Sequence, residues 1–163
     1  MEPLDDTKFS GTKEVAEHLT IEALKLQPWI DEFVPEAGKI NSIEQFKGGQ
    51  SNPTYKITTD TKSLVLRRKP PGKLLPSAHA VDREYKVITA LYETDVPVPK
   101  TYGLCEDDDV AGTAFFVMDF LDGDLFWDPM IPSVTNKDRT EIYQNKNKTL
   151  AKLHSVDYKK IGL

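Results

Sequence analysis

SLVLRRKPPGKLLPSAHAVDREYKVITAL, residues 63–91, sets a short apolar strand ending in three cations ahead of a helix that carries one glutamate among its apolar positions. Side chains alternate faces along a strand, so Leu64 and Leu66 share one side while Val65 and Arg67 share the other. In the helix, Val81, Tyr85, Ile88 and Leu91 recur at the spacing of a single stripe. Glu84 falls on that stripe, between Val81 and Ile88, rather than on the solvated face. A carboxylate left unpaired there would cost on the order of several kcal/mol, so it must be protonated or meet a cation. Spacing leaves two sources of that cation open: Arg67 on the cleft side of the strand, or Arg83 and Lys86 on the helix itself.

Working outward, Asn41–Phe46 and Tyr55–Thr58 read as two strands before this one, joined by Gly48-Gly49-Gln50-Ser51-Asn52-Pro53. Two glycines, a hydroxyl and an amide between strands can offer several N–H donors to one anion, or can form a plain hairpin turn. Pro70-Pro71-Gly72 ends the third strand, and the helix starts near Ser77 or His79, with Ser77 a plausible N-cap, and runs to Tyr92. Thr101–Cys105 and Ala114–Phe120 read as two further strands around the acidic turn 106–109. That turn lacks the alternating oxygen ligands and distal glutamate of a calcium loop, and is expected to be a solvated hairpin tip.

The second of these strands runs into Asp119-Phe120-Leu121-Asp122-Gly123, an exit whose main chain either reads a flat polar ligand edge or simply links two lobes. Thr135 is the expected N-cap of a helix to His154, with Ile142, Lys146, Thr149, Leu150 and Leu153 along one side. Ahead of the strands, the spacing over Lys13–Phe33 predicts helix with a break near Pro28, one piece ending near Leu26 and another running from Gln27 to about Val34. The expected class is therefore α+β: N-terminal arm and helices over 1–40, a sheet with one inserted helix over 41–120, and an exit with the start of a helical part over 121–163.

Composition narrows the function. The 163 residues, 39% hydrophobic, can bury a real core. A net charge of −5 argues against nucleic acid and anionic membrane surfaces as general partners, because both select basic faces. Cys105 is the only cysteine, which excludes an intrachain disulfide and gives little support to a thiol nucleophile. The acidic start lacks the basic and apolar parts of a leader, and no run approaches a membrane span of roughly 18 residues. The expectation is a soluble intracellular chain, with cytoplasm, peroxisome and mitochondrion equally open.

The glycine-rich turn, the V-L-R strand, the helix with an inward Glu, the M-D-F-L-D-G exit and the later L-A-K-L-H-S together resemble the aminoglycoside phosphotransferase, or choline kinase-like, branch of the protein-kinase-like fold. GGQSNPTY, LRRKPPGKLLPSAHAVDREY, DVPVPK and TLAKLHSVD, in that order, more closely resemble the kinase-like domain of acyl-CoA dehydrogenase family members ten and eleven, over roughly residues 20–163. The resemblance implies a kinase-like N-lobe, with a five-stranded antiparallel sheet and one helix, and then the start of a helical C-lobe. It implies ATP and magnesium as cofactors and transfer of a phosphoryl group to a small-molecule hydroxyl, with a hydroxyacyl-CoA of fatty-acid breakdown as the suggested acceptor. A downstream acyl-CoA dehydrogenase domain is an implied partner.

Carried over by position, the resemblance makes Gly48, Gly49, Ser51 and Asn52 the nucleotide-phosphate loop and sets Val65 over adenine. Arg67 stands where such kinases usually have lysine, Glu84 orients it, and Asp119 and Leu121 hold the adenine edge through carbonyl and amide. Arginine for lysine matters, since a planar guanidinium binds phosphate as a fork. The family's H-G-D loop, later Asn and metal-binding Asp are expected past Leu163; His154 and Asp157 sit on the preceding helix and are not read as catalytic. The expectation is thus the nucleotide-binding half of a kinase, inactive alone, with a pseudokinase-like binding or scaffolding module as the alternative.

Overall fold

The structure, a computed structural model, describes residues 10–48, 51–75 and 78–163. The chain is α+β, built on an antiparallel sheet of six strands: β1 (Thr12–Lys13), β2 (Ile40–Phe46), β3 (Thr54–Thr59), β4 (Ser63–Arg68), β5 (Thr101–Cys105) and β6 (Phe115–Asp119). Their order across the sheet is β1-β2-β3-β4-β6-β5. The sixth strand, one more than expected, is β1, whose Thr12 and Lys13 pair with Phe46 and Gln45. Two residues carry too little periodicity to announce a strand.

One sheet face carries Tyr55, Ile57, Leu64, Leu66, Phe115 and Val117, packed with Leu26, Trp29 and Ile30 of helix α1 (Ala23–Phe33) in the main core. Helix α1 continues through Pro28 where a break was expected. The carbonyl that loses its donor there belongs to Leu24, which is 89% exposed and can turn to water. Burial of the Leu26–Trp29–Ile30 stripe outweighs that local cost. Gln27 ties the helix to the sheet, accepting from the Ile40 N–H at 2.8 Å and donating to the Gly38 carbonyl at 3.2 Å. The residues before α1 are not helix but β1 and a single 3-10 turn, Glu17–Leu19.

The opposite face is covered in part by helix α2 (Val81–Tyr92), which buries Val81 and Leu91 and sets Tyr85 against Phe116, ring centroids 6.0 Å apart. Ser77, the expected N-cap, lies outside the described residues; Ala80 occupies the cap position. The acidic turn forms a one-turn helix α3 (Asp108–Ala111), capped by the Asp107 side chain on the Asp109 N–H. Helix α4 (Asn136–His154) starts at Thr135, whose hydroxyl accepts from the Asp138 N–H as expected for an N-cap. Cys105 is buried, and burial pushes its thiol pKa up. Among the described residues, no helix is long and apolar enough to cross a membrane.

Two positions give tests of this packing. A Cβ on Gly103 would stand 2.9 Å from both Phe33 Cδ1 and Trp29 Cζ2, rings that are stacked on each other at 4.5 Å and cannot easily give way. Gly103→Ala is expected to cost about 1–3 kcal/mol in urea unfolding, as overpacked cores do; an unchanged midpoint would contradict this packing. Asp60 accepts from the Lys39 N–H at 2.9 Å and the Asn41 amide at 3.1 Å, and these bonds, the Lys39 one first, hold its pKa below the ordinary value. A depressed folded pKa stabilises above the unfolded value of about 3.9 and is lost as pH falls through the folded one. The melting-temperature gap between wild type and Asp60→Asn is therefore expected at neutral pH and should close in acid.

Candidate functional site

Alternation along β4 sends consecutive arginines to opposite faces. Arg67 pairs across the sheet with Thr54 and Phe116, on the α2 side, while Arg68 enters the core face at 3% exposure. Arg67 resolves the choice that spacing left open: its Nε donates to Glu84 Oε2, its second terminal nitrogen lies 3.3 Å from Oε1, and its other one donates to Thr54 Oγ1 at 2.9 Å. Glu84 also accepts from Asn52 Nδ2 at 2.8 Å, and Asn52 Oδ1 meets His79 Nδ1 at 2.9 Å.

Two cavities flank this cluster. The larger, about 890 Å³, lies between the sheet and the 118–127 segment, and Gly48, Thr54, Val65, Arg67, Asp119 and Leu121 are among its lining residues. The smaller, about 710 Å³, runs along α2 and includes Ser51, Asn52, Arg67, His79, Arg83 and Glu84. Of the nine residues picked from the sequence, eight are described and line one cavity or the other; Gly49 lies outside the described residues. Arg67 lines both. Gly48 and Ser51 border different cavities, and Asn52 is 3% exposed with its side chain on Glu84.

Chemically, the large cavity has two ends. Val65 and Met118, directly paired across β4 and β6, form an apolar wall, extended by Phe46, Phe120, Phe126 and Trp127. Phe46 and Phe120 stack at 6.2 Å, and Lys56 Nζ stands 4.6 Å over the Phe120 ring. Leu121–Leu125 make no backbone hydrogen bond with other described residues, which leaves main-chain donors and acceptors at this wall. The other end is the Arg67 guanidinium. A flat heteroaromatic group with a polar edge, joined to an anion, matches that donor set; carboxylates grouped to hold a metal do not occur among the described residues.

Behind the wall, Asp119 is braced through its side chain. Tyr102 Oη donates to Asp119 Oδ1 at 2.7 Å, Lys62 Nζ lies 3.1 Å from the same oxygen and donates to Tyr102, and the Asp119 N–H donates to the Lys100 carbonyl at 2.9 Å. Burial pulls the Lys62 pKa down, but the bonds to Tyr102 and Asp119 outweigh it and raise it overall. The aromatic wall and this brace were not anticipated. An aromatic run over 115–127 signals the first; nothing local signals the second, because Lys62 lies in the β3–β4 turn, Tyr102 on β5 and Asp119 at the end of β6.

The Phosphotransferase enzyme family matches residues 42–163, three quarters of the chain and all the lining residues of both cavities except Ser10 and Gly11. The chain belongs to this phosphotransferase family. The chain is 53% identical over 126 residues to “Probable acyl-CoA dehydrogenase IBR3” of Arabidopsis thaliana, covering 74% of the chain and 15% of that protein. It is 38% identical over 156 residues to “Acyl-CoA dehydrogenase family member 11” of Rattus norvegicus, covering 93% of the chain and 20% of the relative. A crystal structure of a “putative aminoglycoside phosphotransferase” from Ralstonia eutropha JMP134 superposes with a TM-score of 0.74 at 43% identity, over 88% of this chain and 41% of that one. The kinase-like α+β fold expected from the sequence stands on this likeness. The chain spans about a fifth or less of the curated relatives' length, so what those whole proteins do is not carried over with the fold.

Proposed function

We infer that this phosphotransferase-family chain clamps ATP in the 890 Å³ cleft, as the nucleotide-binding part of a kinase for a small-molecule hydroxyl. The observation that carries the reading is Arg67: fixed by Glu84 and Thr54, it stands at one end of a cavity whose other end is an apolar wall with open main chain. In this reading Val65 and Met118 pack against one face of adenine, the main chain at Asp119 and Leu121, at the exit from the nucleotide lobe 41–120, takes its edge, and the phosphates are assigned to Gly48, Gly49 and Ser51. Arg67 meets a phosphate as a fork, and Glu84 keeps it aimed. Asn52, whose side chain lies on Glu84, serves the phosphates through that carboxylate.

Magnesium, when bound with the nucleotide, neutralises charge developing on the transferred group. Its ligands and the base for the acceptor are not assigned among the residues of these cavities. The relatives' acyl-CoA dehydrogenase names support a hydroxyacyl-CoA as acceptor, in a longer protein that also carries a flavin dehydrogenase. The test pairs two assays on the 163-residue chain. Mg-ATP is expected to raise its melting temperature saturably, while radiolabelled ATP with 3-hydroxyacyl-CoA gives no labelled product. Absence of any nucleotide-dependent shift overturns the clamp; labelled product overturns the division of labour.

A further inference from the structure

The bonds from His79 to Glu84 determine one another. The Glu84 carboxylate, engaged by Arg67, can only accept, so the Asn52 group 2.8 Å from it is the amide nitrogen. The Asn52 oxygen then faces His79, and an amide oxygen also only accepts, so His79 carries its proton on Nδ1 at that 2.9 Å contact. His79 reaches this place in the left-handed region, φ 58°, which a histidine adopts at a cost, and its carbonyl accepts from the Val81 N–H at 2.9 Å as α2 begins. Asn52 itself is only 3% exposed, so its amide relies chiefly on these two protein partners. The strained turn and the buried amide thus form one run of hydrogen bonds that converges on the Glu84 carboxylate, which accepts from both Asn52 and Arg67.

We propose that Asn52 and His79 are positioning residues for the Arg67–Glu84 pair. The Asn52 amide fixes the rotation of the Glu84 carboxylate so that Oε2 presents to Arg67 Nε, and the His79 Nδ1–H fixes the amide. Without the amide donor the carboxylate can rotate about its terminal torsion, which is broad and weakly held in glutamate. Arg67 then keeps its charge partner and loses its aim. The proposal deepens the nucleotide reading, and only the affinity half of its test rests on that reading.

The experiment follows the Arg67 Nε–H resonance by proton–nitrogen NMR in the full chain, alongside Mg-ATP affinity, in wild type, Asn52→Ala, His79→Gly and His79→Asn. Glycine accepts the left-handed backbone and removes the donor; asparagine tolerates that backbone better than most residues and keeps an N–H donor. Expected are a displaced Nε–H resonance and about tenfold weaker Mg-ATP binding in Asn52→Ala, a smaller change of the same sign in His79→Gly, and a return toward wild type in His79→Asn. A purely structural Asn52 would lower the melting temperature and leave the resonance in place, which overturns the proposal. Should Asn52→Ala not fold, His79→Gly decides: an unmoved resonance overturns it. If the resonance moves as expected but no variant, Arg67→Ala included, changes nucleotide affinity, the positioning role stands and the nucleotide reading of the cleft fails.

Discussion

Arg68→Ala is expected to cost about 3 kcal/mol of stability, a fall in melting temperature of roughly 6–12 °C for a chain of this size. Arg68 is a buried cation with no carboxylate partner among the described residues: it donates to the Ala111 carbonyl at 2.6 Å and the Leu19 carbonyl at 3.0 Å, with its guanidinium 5.3 Å over the Tyr55 ring. Burial lowers its pKa and raises that of Tyr55. The alanine variant leaves the Ala111 carbonyl without this donor and empties the space over the ring, whereas Leu19 keeps its bond from Tyr55 Oη at 2.9 Å. Arg68→Met, which refills the space without restoring the bonds, is expected to recover about half of the loss. Equal stability of wild type and Arg68→Ala in urea would contradict the view that this side chain pins α3 and the 17–19 turn to the sheet.

Arg68 also shows where the sequence was legible and where it stopped. Period two alone puts it on the face of Leu64 and Leu66, so its burial was open to the same parity rule that put Arg67 beside Val65. Strands β2 to β6, the Glu84 stripe and the α4 cap were readable because each depends on residues close in sequence. The continuous α1 was not, because the packing that overrides Pro28 comes from the sheet. Spacing named the Arg67–Glu84 pair without choosing it over Arg83 or Lys86; the family resemblance favoured it, and strand and helix set side by side decided it. Asn52 was picked for an anion loop on its sequence context; that its amide reaches Glu84 rather than the large cavity depends on a left-handed residue 27 positions away.

Arg67→Ala is expected to weaken Mg-ATP binding about 30-fold while leaving adenosine binding unchanged, with ADP and AMP between them. The reason is that a charge-assisted bond to phosphate is worth more than a neutral one, and adenosine offers no phosphate. Stability should move little, because the pair is part-exposed, 27% for Arg67 and 35% for Glu84, and such ion pairs contribute on the order of 0–1 kcal/mol. Function and folding therefore separate at adjacent residues: Arg68 changes the melting temperature, Arg67 changes the affinity for phosphates. Glu84→Gln keeps the side chain's length and removes the charge, and is expected to fall between wild type and Arg67→Ala. Equal losses for ATP and adenosine in Arg67→Ala would mean that the residue shapes the cavity rather than meeting the phosphates.

Mg-ATP titrated into isotopically labelled chain and followed residue by residue by NMR tests the central claim most directly. The account predicts saturable shifts at Val65, Met118, Leu121 and Gly123 on the wall and at the Arg67 Nε–H at the other end, with adenosine reproducing only the wall. Shifts gathered instead in the groove of Glu93, Val96 and Lys152, or none at any ATP concentration, would contradict it.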